Sequence, residues 1–271
     1  MALSRSGWYP AVARDEKQTM LCANTTPVEV SPRVKLEVCV DTVAGLELAA
    51  SCGVDRIELC QGLDLGGLTP SYAMMRYAAS LHVPTFALIR PRSGDFVYTA
   101  REIDLMIDDI HVARDIGIAG VVLGVLNEDH SLNRGALQAL LDHCAGLGRT
   151  LHRGFDLTPD LFAAAEAAIE LGFDRILTSG GAPSAMQGSQ TIAELARRTA
   201  GRISIMPGAG IRADNVAWAL RTEHIEEIHA SCRKAPVDAS PQGGLDFVIP
   251  TRNTDVIALK SLLSVLHGSS P

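Results

Sequence analysis

The sequence contains no apolar run that approaches the roughly 20 residues a membrane-spanning helix requires. Residues 1–33 mix polar residues with three prolines and a few isolated apolar residues. They lack the continuous apolar stretch of about 7–15 residues that a secretory signal needs. We therefore expect a cytoplasmic protein without a membrane partner, in which residues 1–33 form a flexible extension outside the fold.

An excess of positive charge is also absent. Lysine and arginine together number 24, against 31 aspartates and glutamates, which gives a formal net charge of −7. A chain of this charge has no general electrostatic attraction to nucleic acid or to anionic membranes. We therefore expect neither as a partner.

No two cysteines show the C-x-x-C or zinc-finger spacing that marks a structural metal site. The chain is also too large to need disulfides for its stability. Free thiols in a reducing cytoplasm are the expected state. The six cysteines are Cys22, Cys39, Cys52, Cys60, Cys144 and Cys232.

From Val34 onward, short β-rich runs alternate with longer segments of helical periodicity. Eight such units in about 235 residues are typical of a closed TIM (β/α)₈ barrel, which we predict as a single domain over residues 34–271. The alternative is an open doubly wound sheet, but residues 41–45 after the first strand carry no glycine-rich dinucleotide fingerprint. The predicted strands are 34–40, 55–60, 84–90, 120–125, 149–153, 174–178, 202–206 and 226–229.

Several local patterns predict where helices begin and end. Thr99 and Glu102 have the spacing of a capping box. A threonine followed by proline predicts a helix start at Thr69 and at Thr158. Glycine predicts helix ends at Gly53, Gly117 and Gly172, and a last helix is indicated by Val256, Leu259, Leu263 and Leu266.

Reactive groups of a βα barrel lie at the C-terminal ends of its strands. Residues two apart on a strand share a face, so Glu37 and Cys39 should face the interior together, as should Glu58 and Cys60. The alternating apolar residues would then pack on the helices. Buried carboxylates need cationic partners, and we expect these to be Arg90, His152 and Arg153.

Glycine-rich turns follow the sixth and seventh predicted strands. Without Cβ atoms, the backbone amides of such turns can approach an anion closely, and arginine can add bidentate contacts. The alternative is that the turns need glycine for their own geometry. The candidate anion-binding residues are Arg90, Arg153, Ser179, Gly180, Gly208 and Gly210.

Acid–base chemistry is a further hypothesis for the same end of the barrel. Histidine titrates near neutrality, and His152 or His229 could act beside a glutamate. The alternatives are a histidine satisfied within the core and a charge network that is purely structural. The candidate catalytic residues are Glu37, Glu58, His152 and Asp156.

Cys39 and Cys60 would lie at similar heights if the first two strands pair in the expected register. Two soft thiolates suit Cu(I), which makes them the candidate metal ligands, with Cys232 a weaker third. The alternative is that both are small buried apolar side chains.

Seven segments of the sequence resemble the CutC family, whose members are usually called copper homeostasis proteins. The resemblance spans roughly residues 34–234 and implies a cytoplasmic TIM barrel that is often a homo-oligomer, with a metal site at Cys39 and Cys60. Gly154 stands where alanine is common, and Ser93 where glycine is common. The matching segments are LEVCVD (36–41), DRIELC (55–60), GGLTPS (66–71), IRPRSGDFVY (89–98), HRGFD (152–156), RILTSGG (175–181) and GAGI (208–211).

Two hypotheses follow. The resemblance implies a cytosolic protein that binds copper, Cu(I), at Cys39 and Cys60. The arginines, histidines and glutamates of the rim instead favour an enzyme that acts on a small anionic or phosphorylated metabolite.

Overall fold

A computed structural model describes residues 33–234 and 252–268 of the chain. The predicted extension therefore lies outside the described residues, except for Arg33. The Arg33 side chain donates to Asp55 over 2.7 Å. Arg33 is thus in contact with the barrel immediately before its first strand.

Eight parallel strands form a nearly closed barrel, and each lies within two residues of its predicted bounds. The TIM-like fold predicted from the alternating pattern is therefore confirmed. The strands are β1 (Lys35–Val40), β2 (Arg56–Leu59), β3 (Thr85–Leu88), β4 (Gly120–Leu123), β5 (Gly148–Leu151), β6 (Arg175–Thr178), β7 (Ser204–Pro207) and β8 (Glu227–Ala230).

The order of the strands is β7-β6-β5-β4-β3-β2-β1-β8. β7 and β8 lie side by side, but no backbone ladder joins them within the part of the chain that is described. Side chains bridge this region instead. Glu227 on β8 accepts from Arg56 over 2.6 Å and from Arg175 on β6 over 3.1 Å.

Helices surround the strands, and the described residues contain seven α-helices and three 3₁₀ helices. A 3₁₀ helix, Val216–Arg221, takes the place of the α-helix expected between β7 and β8. The α-helices are α1 (Val43–Cys52), α2 (Tyr72–Ala79), α3 (Ala100–Ile116), α4 (Arg134–Leu141), α5 (Leu161–Leu171), α6 (Ser189–Thr199) and α7 (Val256–Leu266). Across 33–234 and 252–268, none of the helices has the length and apolar character needed to cross a bilayer.

The helix ends follow the predicted signals in part. The capping box of Thr99 and Glu102 is confirmed at α3, and glycine ends α1, α3 and α5 in the left-handed conformation. The starts predicted at Thr69 and Thr158 are wrong, because Ser71 caps α2 and Asp160 caps α5. The two threonine hydroxyls bond elsewhere: Thr69 accepts from the backbone of Arg90, and Thr158 donates to the carbonyl of Phe155.

The apolar core lies between the strands and the helices, as the alternation along β1 and β2 predicts. Four residues of these strands are fully buried on that side: Leu36, Val38, Ile57 and Leu59. The inward-facing residues are charged or thiol-bearing, and Glu37, Cys39, Glu58 and Cys60 are all buried. The predicted division of the two faces is therefore confirmed.

Phe86 on β3 fills the interior of the barrel opposite two glycines. Gly120 lies opposite Phe86 in one ladder and opposite Gly148 in the next. A Cβ atom at Gly120 or Gly148 would lie 2.5 or 2.4 Å from the phenylalanine ring. The guanidinium groups of Arg56 and Arg175 lie 5.0 and 4.9 Å from the ring centroid, so two cations pack against this ring within the barrel.

Candidate functional site

A buried ion-pair network occupies the interior beside Phe86. Arg56 donates from Nε to Glu37 and from its terminal nitrogen to Glu227. Burial alone would raise the pKa of Glu37, but Arg56 and His229 outweigh burial and lower it to about 2. Glu37 and Glu227 in turn raise the pKa of Arg56 despite its burial. Glu37 is therefore a permanent anion held by a permanent cation.

The predicted partners of the buried glutamates are wrong. Glu37 and Glu58 lie against Arg56 and His229. Arg90, His152 and Arg153 bond to other groups. Arg56 precedes Glu58 by two residues and so shares its inward face, which is the sequence signal that could have identified this partner.

His229 lies between the two glutamates. Its Nδ1 is 2.7 Å from Glu37 Oε1 and its Nε2 is 3.7 Å from Glu58 Oε2. The ladder between β1 and β8 pairs Glu37 with His229 directly, which sets this contact. Burial would lower the pKa of His229, but the Cys39 sulfur and the two glutamates outweigh burial and raise it well above the ordinary value.

Glu58 differs from Glu37 in its electrostatic surroundings. Burial has the largest effect and raises its pKa to about 7, while His229 lowers the pKa and Glu37 raises it further. A carboxyl group that titrates near neutrality can both accept and deliver a proton at physiological pH. Of the two predicted catalytic glutamates, Glu58 has the properties of an acid–base group and Glu37 those of a fixed charge.

Cys39, Glu58 and His229 form a compact group of potential metal ligands. One ligand atom from each lies within 4.8 Å of the others, and all three residues are buried. Sulfur, oxygen and imidazole nitrogen are the donors found in protein sites for zinc and related ions, with thiolate and imidazole also suiting copper. The donor set therefore fits a transition-metal ion.

The register of β1 and β2 differs from the one expected for a two-thiol site. Cys39 pairs with Glu58, so Cys60 lies one inward-facing position further along the barrel axis. Cys60 packs with Phe86, Leu88 and Val122. Burial raises the pKa of its thiol, and Glu58 and Cys39 add to this. The expectation that the two thiols lie level is wrong because the side chain opposite Cys39 is a carboxylate.

A cavity of about 390 Å³ opens at the C-terminal end of the barrel. Its wall also contains apolar side chains, among them Leu63, Leu88 and Leu177. The cavity therefore brings residues of β1, β2, β3, β6 and β8, and of the segment that follows β5, to one space. The polar residues that line it are Cys39, Glu58, Cys60, Arg90, His152, Arg153, Asp156 and His229.

Arg90 is only 5% exposed, it donates to three backbone carbonyls, and it also interacts with the hydroxyl of Tyr98. One terminal nitrogen donates to Leu65 and Gly67 over 3.2 and 2.9 Å, and the other donates to Gly94 over 2.7 Å. Its Nε has no hydrogen-bond partner among residues 33–234 and 252–268. The guanidinium lies 4.8 Å from the centroid of Phe96.

His152 is buried and also packs against Phe96, with ring centroids 4.6 Å apart. Its Nδ1 accepts from the backbone N–H of Gly154 over 3.0 Å. Burial lowers the pKa of His152 to about 4, and Arg90 contributes to this. The neutral ring must therefore carry its proton on Nε2, which has no partner in the described chain.

The carboxylate of Asp156 occupies the acceptor position of the glycine-rich turn after β6. It accepts from the Thr178 hydroxyl over 2.5 Å and from the backbone amides of Ser179 and Gly181 over 3.0 and 3.1 Å. Arg153 also donates to it over 2.9 Å. This turn binds an anion as expected of its sequence, but the anion is a side chain of the protein.

Gly180, Gly208 and Gly210 have different surroundings from one another. The Gly180 amide donates to the Thr178 hydroxyl, and the Gly208 amide donates to the Thr178 carbonyl. Gly210 lines a second cavity of about 520 Å³, which Cys39, Arg153 and His229 also line. The two cavities thus meet at three shared residues.

Cys232, the weaker third ligand candidate, also lines the second cavity. It is a buried residue with a φ of +46°, which is uncommon for a side chain with a Cβ atom. Burial raises the pKa of its thiol to about 12, with contributions from Cys39 and Asp255. It does not belong to the group formed by Cys39, Glu58 and His229.

Comparison with known proteins finds relatives over the whole barrel. The model of the CutC family matches residues 34–234. A CutC family protein of Agrobacterium fabrum is 50% identical over 236 residues, which cover 86% of this chain and 94% of the relative. Another, of Caulobacter vibrioides, is 44% identical over 240 residues, covering 87% and 98%. The crystal structure of CutC from Streptococcus agalactiae has a TM-score of 0.70 at 29% identity, covering 73% of this chain and 98% of that one.

Proposed function

The chain belongs to the CutC family, and we propose that it is a cytosolic copper-binding protein that holds Cu(I) at the C-terminal end of its barrel. The relative from Streptococcus agalactiae is named for copper homeostasis. The observation that carries the proposal is the group of Cys39, Glu58 and His229, whose ligand atoms lie within 4.8 Å of one another.

Cu(I) prefers thiolate and imidazole donors over carboxylate. Cys39 and His229 are therefore the direct ligands we propose, with Cys60 as the second thiolate. Cys60 lies near enough to Cys39 for the two thiols to affect one another electrostatically. Glu58 is a harder donor and would favour a divalent ion such as Zn²⁺ in the same place.

Glu37 supports this proposal through its contact with the proposed ligand His229. The contact between its carboxylate and Nδ1 of His229 leaves Nε2 on the side of Cys39 and Glu58. A histidine that binds a metal usually donates its other ring N–H to a carboxylate or carbonyl, which fixes the tautomer and the orientation of the ring. The buried Glu37–Arg56 pair supplies such a fixed carboxylate.

A Cu(I) competition titration of the reduced protein against a chelator tests the proposal. We expect tight binding near one equivalent, lost in Cys39→Ser and weakened in Cys60→Ser. Cys52→Ser is a matched control, because Cys52 lies at the end of α1, away from the cavity. Equal affinity in the wild type and in Cys39→Ser would overturn the site. If Zn²⁺ bound more tightly than Cu(I) and its binding depended on Glu58, the proposed metal would be a divalent ion and not copper.

A second candidate function is an enzyme that acts on a small anionic metabolite by acid–base chemistry. One observation favours it: Glu58, whose pKa is about 7, faces a cavity that Arg90 and His152 also line. Incubation with a metabolite extract, followed by mass spectrometry, would test it. We expect a metabolite that the wild type depletes and Glu58→Gln does not. The same depletion by both proteins would contradict this role of Glu58.

A further inference from the structure

Arg90 is a buried cation that forms no salt bridge among the described residues, and the carboxylate that its charge affects, Asp95, is exposed and already paired with Arg92. Its five N–H donors include three that reach carbonyl oxygens, and carbonyls carry no net charge. The carboxylates of the cavity are engaged elsewhere, since Glu58 faces His229 and Asp156 accepts from Arg153. A buried charge is costly unless it is paired, so the cavity has an unmet need for an anion.

His152 adds a second unsatisfied donor to the same cavity wall. Because its Nδ1 accepts from the Gly154 amide, the remaining ring nitrogen bears the proton. That N–H is buried and has no acceptor in the described chain. Leaving such a donor unpaired costs roughly 1–3 kcal/mol. An oxygen atom of a ligand would remove this penalty.

Phe96 positions the two donors relative to each other. The guanidinium of Arg90 and the ring of His152 both pack against the Phe96 ring, with centroid distances of 4.8 and 4.6 Å. All three residues line the cavity of about 390 Å³. We propose that Arg90 Nε–H and His152 Nε2–H together bind the carboxylate group of a small organic acid in this cavity.

Charge and shape favour a carboxylate over a phosphate group. With His152 neutral, the two donors carry one positive charge, which matches a carboxylate; a phosphate monoester carries about 1.5 to 2 negative charges at pH 7. Apolar side chains of the wall, including Leu63 and Leu88, leave room for a short carbon chain beside the donors. His152 is then a hydrogen-bond donor to the ligand and not the general base expected from its sequence.

This inference shares its cavity with the second candidate function, but it does not depend on catalysis and can be tested without turnover. Propionate is the probe, and inorganic phosphate is the comparison. Protein labelled with ¹⁵N at arginine and histidine reports the Arg90 Nε–H and the His152 ring nitrogens by NMR. Titration with propionate should move both signals along one binding curve, while the pattern of the His152 nitrogens shows a proton on Nε2 before and after binding.

Two His152 variants separate ligand binding from folding. His152→Asn retains an acceptor for the Gly154 amide and removes the Nε2 donor, so it should fold and bind propionate roughly tenfold more weakly. His152→Gln retains a donor near the position of Nε2 and should lose less affinity. His111→Asn is the control and should bind as the wild type does, because His111 is a half-buried residue of α3 that contacts His143 and does not line the cavity.

Several results would overturn the inference. Absence of any shift at Arg90 and His152 with propionate in the tens of millimolar would show that the two donors bind no carboxylate. If phosphate moved the Arg90 and His152 signals at lower concentrations than propionate did, the ligand would be a phosphate compound and not a carboxylate. Equal propionate affinity in the wild type and in His152→Asn would remove His152 from the site. Because Glu58 is unchanged in these proteins, failure of the enzymatic hypothesis would leave the propionate result standing.

Discussion

The backbone N–H of Gly154 donates to Nδ1 of His152 over 3.0 Å. This contact lies within a single turn, yet it fixes the tautomer of His152, which lines the cavity together with Arg90. A neutral imidazole with its proton on Nε2 can donate to a ligand oxygen but cannot accept a proton there. The chemistry available to His152 is thus decided by a backbone amide two residues away.

We expect His152 to destabilise the fold increasingly as the pH falls from about 6.5 to about 4. Its pKa is near 6.5 in an unfolded chain and about 4 in the folded one, so within this window the unfolded chain binds a proton that the folded chain excludes, which favours unfolding by about 3 kcal/mol in total. Glu58 and His229 act in the opposite direction, because folding raises the pKa of each. Urea denaturation of the wild type and of His152→Asn at pH 7 and pH 5 isolates the histidine, and between these values the wild type should lose about 2 kcal/mol relative to the variant. The same change with pH in both proteins would show that His152 does not contribute to it.

We expect Arg56→Met to destabilise the fold by roughly 3–5 kcal/mol. The substitution leaves Glu37 and Glu227 buried without their shared cation. Arg134→Met is the matched control, because the exposed pair of Arg134 and Glu170 should contribute less than about 1 kcal/mol. Urea denaturation at pH 7 measures both changes. Similar losses in the two variants would show that the buried network adds nothing to stability.

We expect Glu37→Gln to weaken metal binding roughly 10–100-fold while Cys39, Glu58 and His229 remain in place. The amide cannot supply the negative charge that orients His229 through Nδ1. Competition titration measures the affinity, and circular dichroism checks the fold. Glu226→Gln is the control, since it lies beside β8 without lining the cavity. Unchanged affinity in Glu37→Gln would show that a metal does not bind through His229.

We expect Gly148→Ala to destabilise the barrel by about 1–3 kcal/mol. Its Cβ atom would lie 2.4 Å from the ring of Phe86, which is buried and packs against two guanidinium groups. Gly135→Ala in α4 is the control, because its Cβ would approach no atom closer than 3.8 Å. Thermal unfolding separates the two. A stable Gly148→Ala would mean that Phe86 does not need this space.

The fold could be predicted from the sequence because buried parallel strands read as short apolar runs between glycine-ended helices. The division of each strand into two faces followed from its alternation, as Glu37 and Cys39 show. Partner choice could not be predicted in the same way. Whether Glu37 meets His229 or His152 depends on the register between β1 and β8, and no local pattern encodes that register.

The candidate site illustrates the same limit. The sequence places Cys39, Cys60, Arg90 and His152 at one end of the barrel, and the cavity brings all four together. That Glu58 lies opposite Cys39 could not be predicted, because it depends on the register between β1 and β2. That Asp156 accepts from the turn after β6 could be seen only in the folded structure. Its carboxylate bonds to backbone amides that otherwise suit an external anion.

The gap between β7 and β8 has a consequence for how the barrel opens. Elsewhere adjacent strands are held by backbone hydrogen bonds, whereas within the described residues β7 and β8 are joined by side chains: Arg56 donates both to Met206 of β7 and to Glu227 of β8. Local opening starts where few backbone bonds must break. The backbone amides along this edge should therefore exchange with solvent sooner than those of β2 to β5. His229 lies on β8 and lines both cavities, so such opening would loosen the wall that the two cavities share.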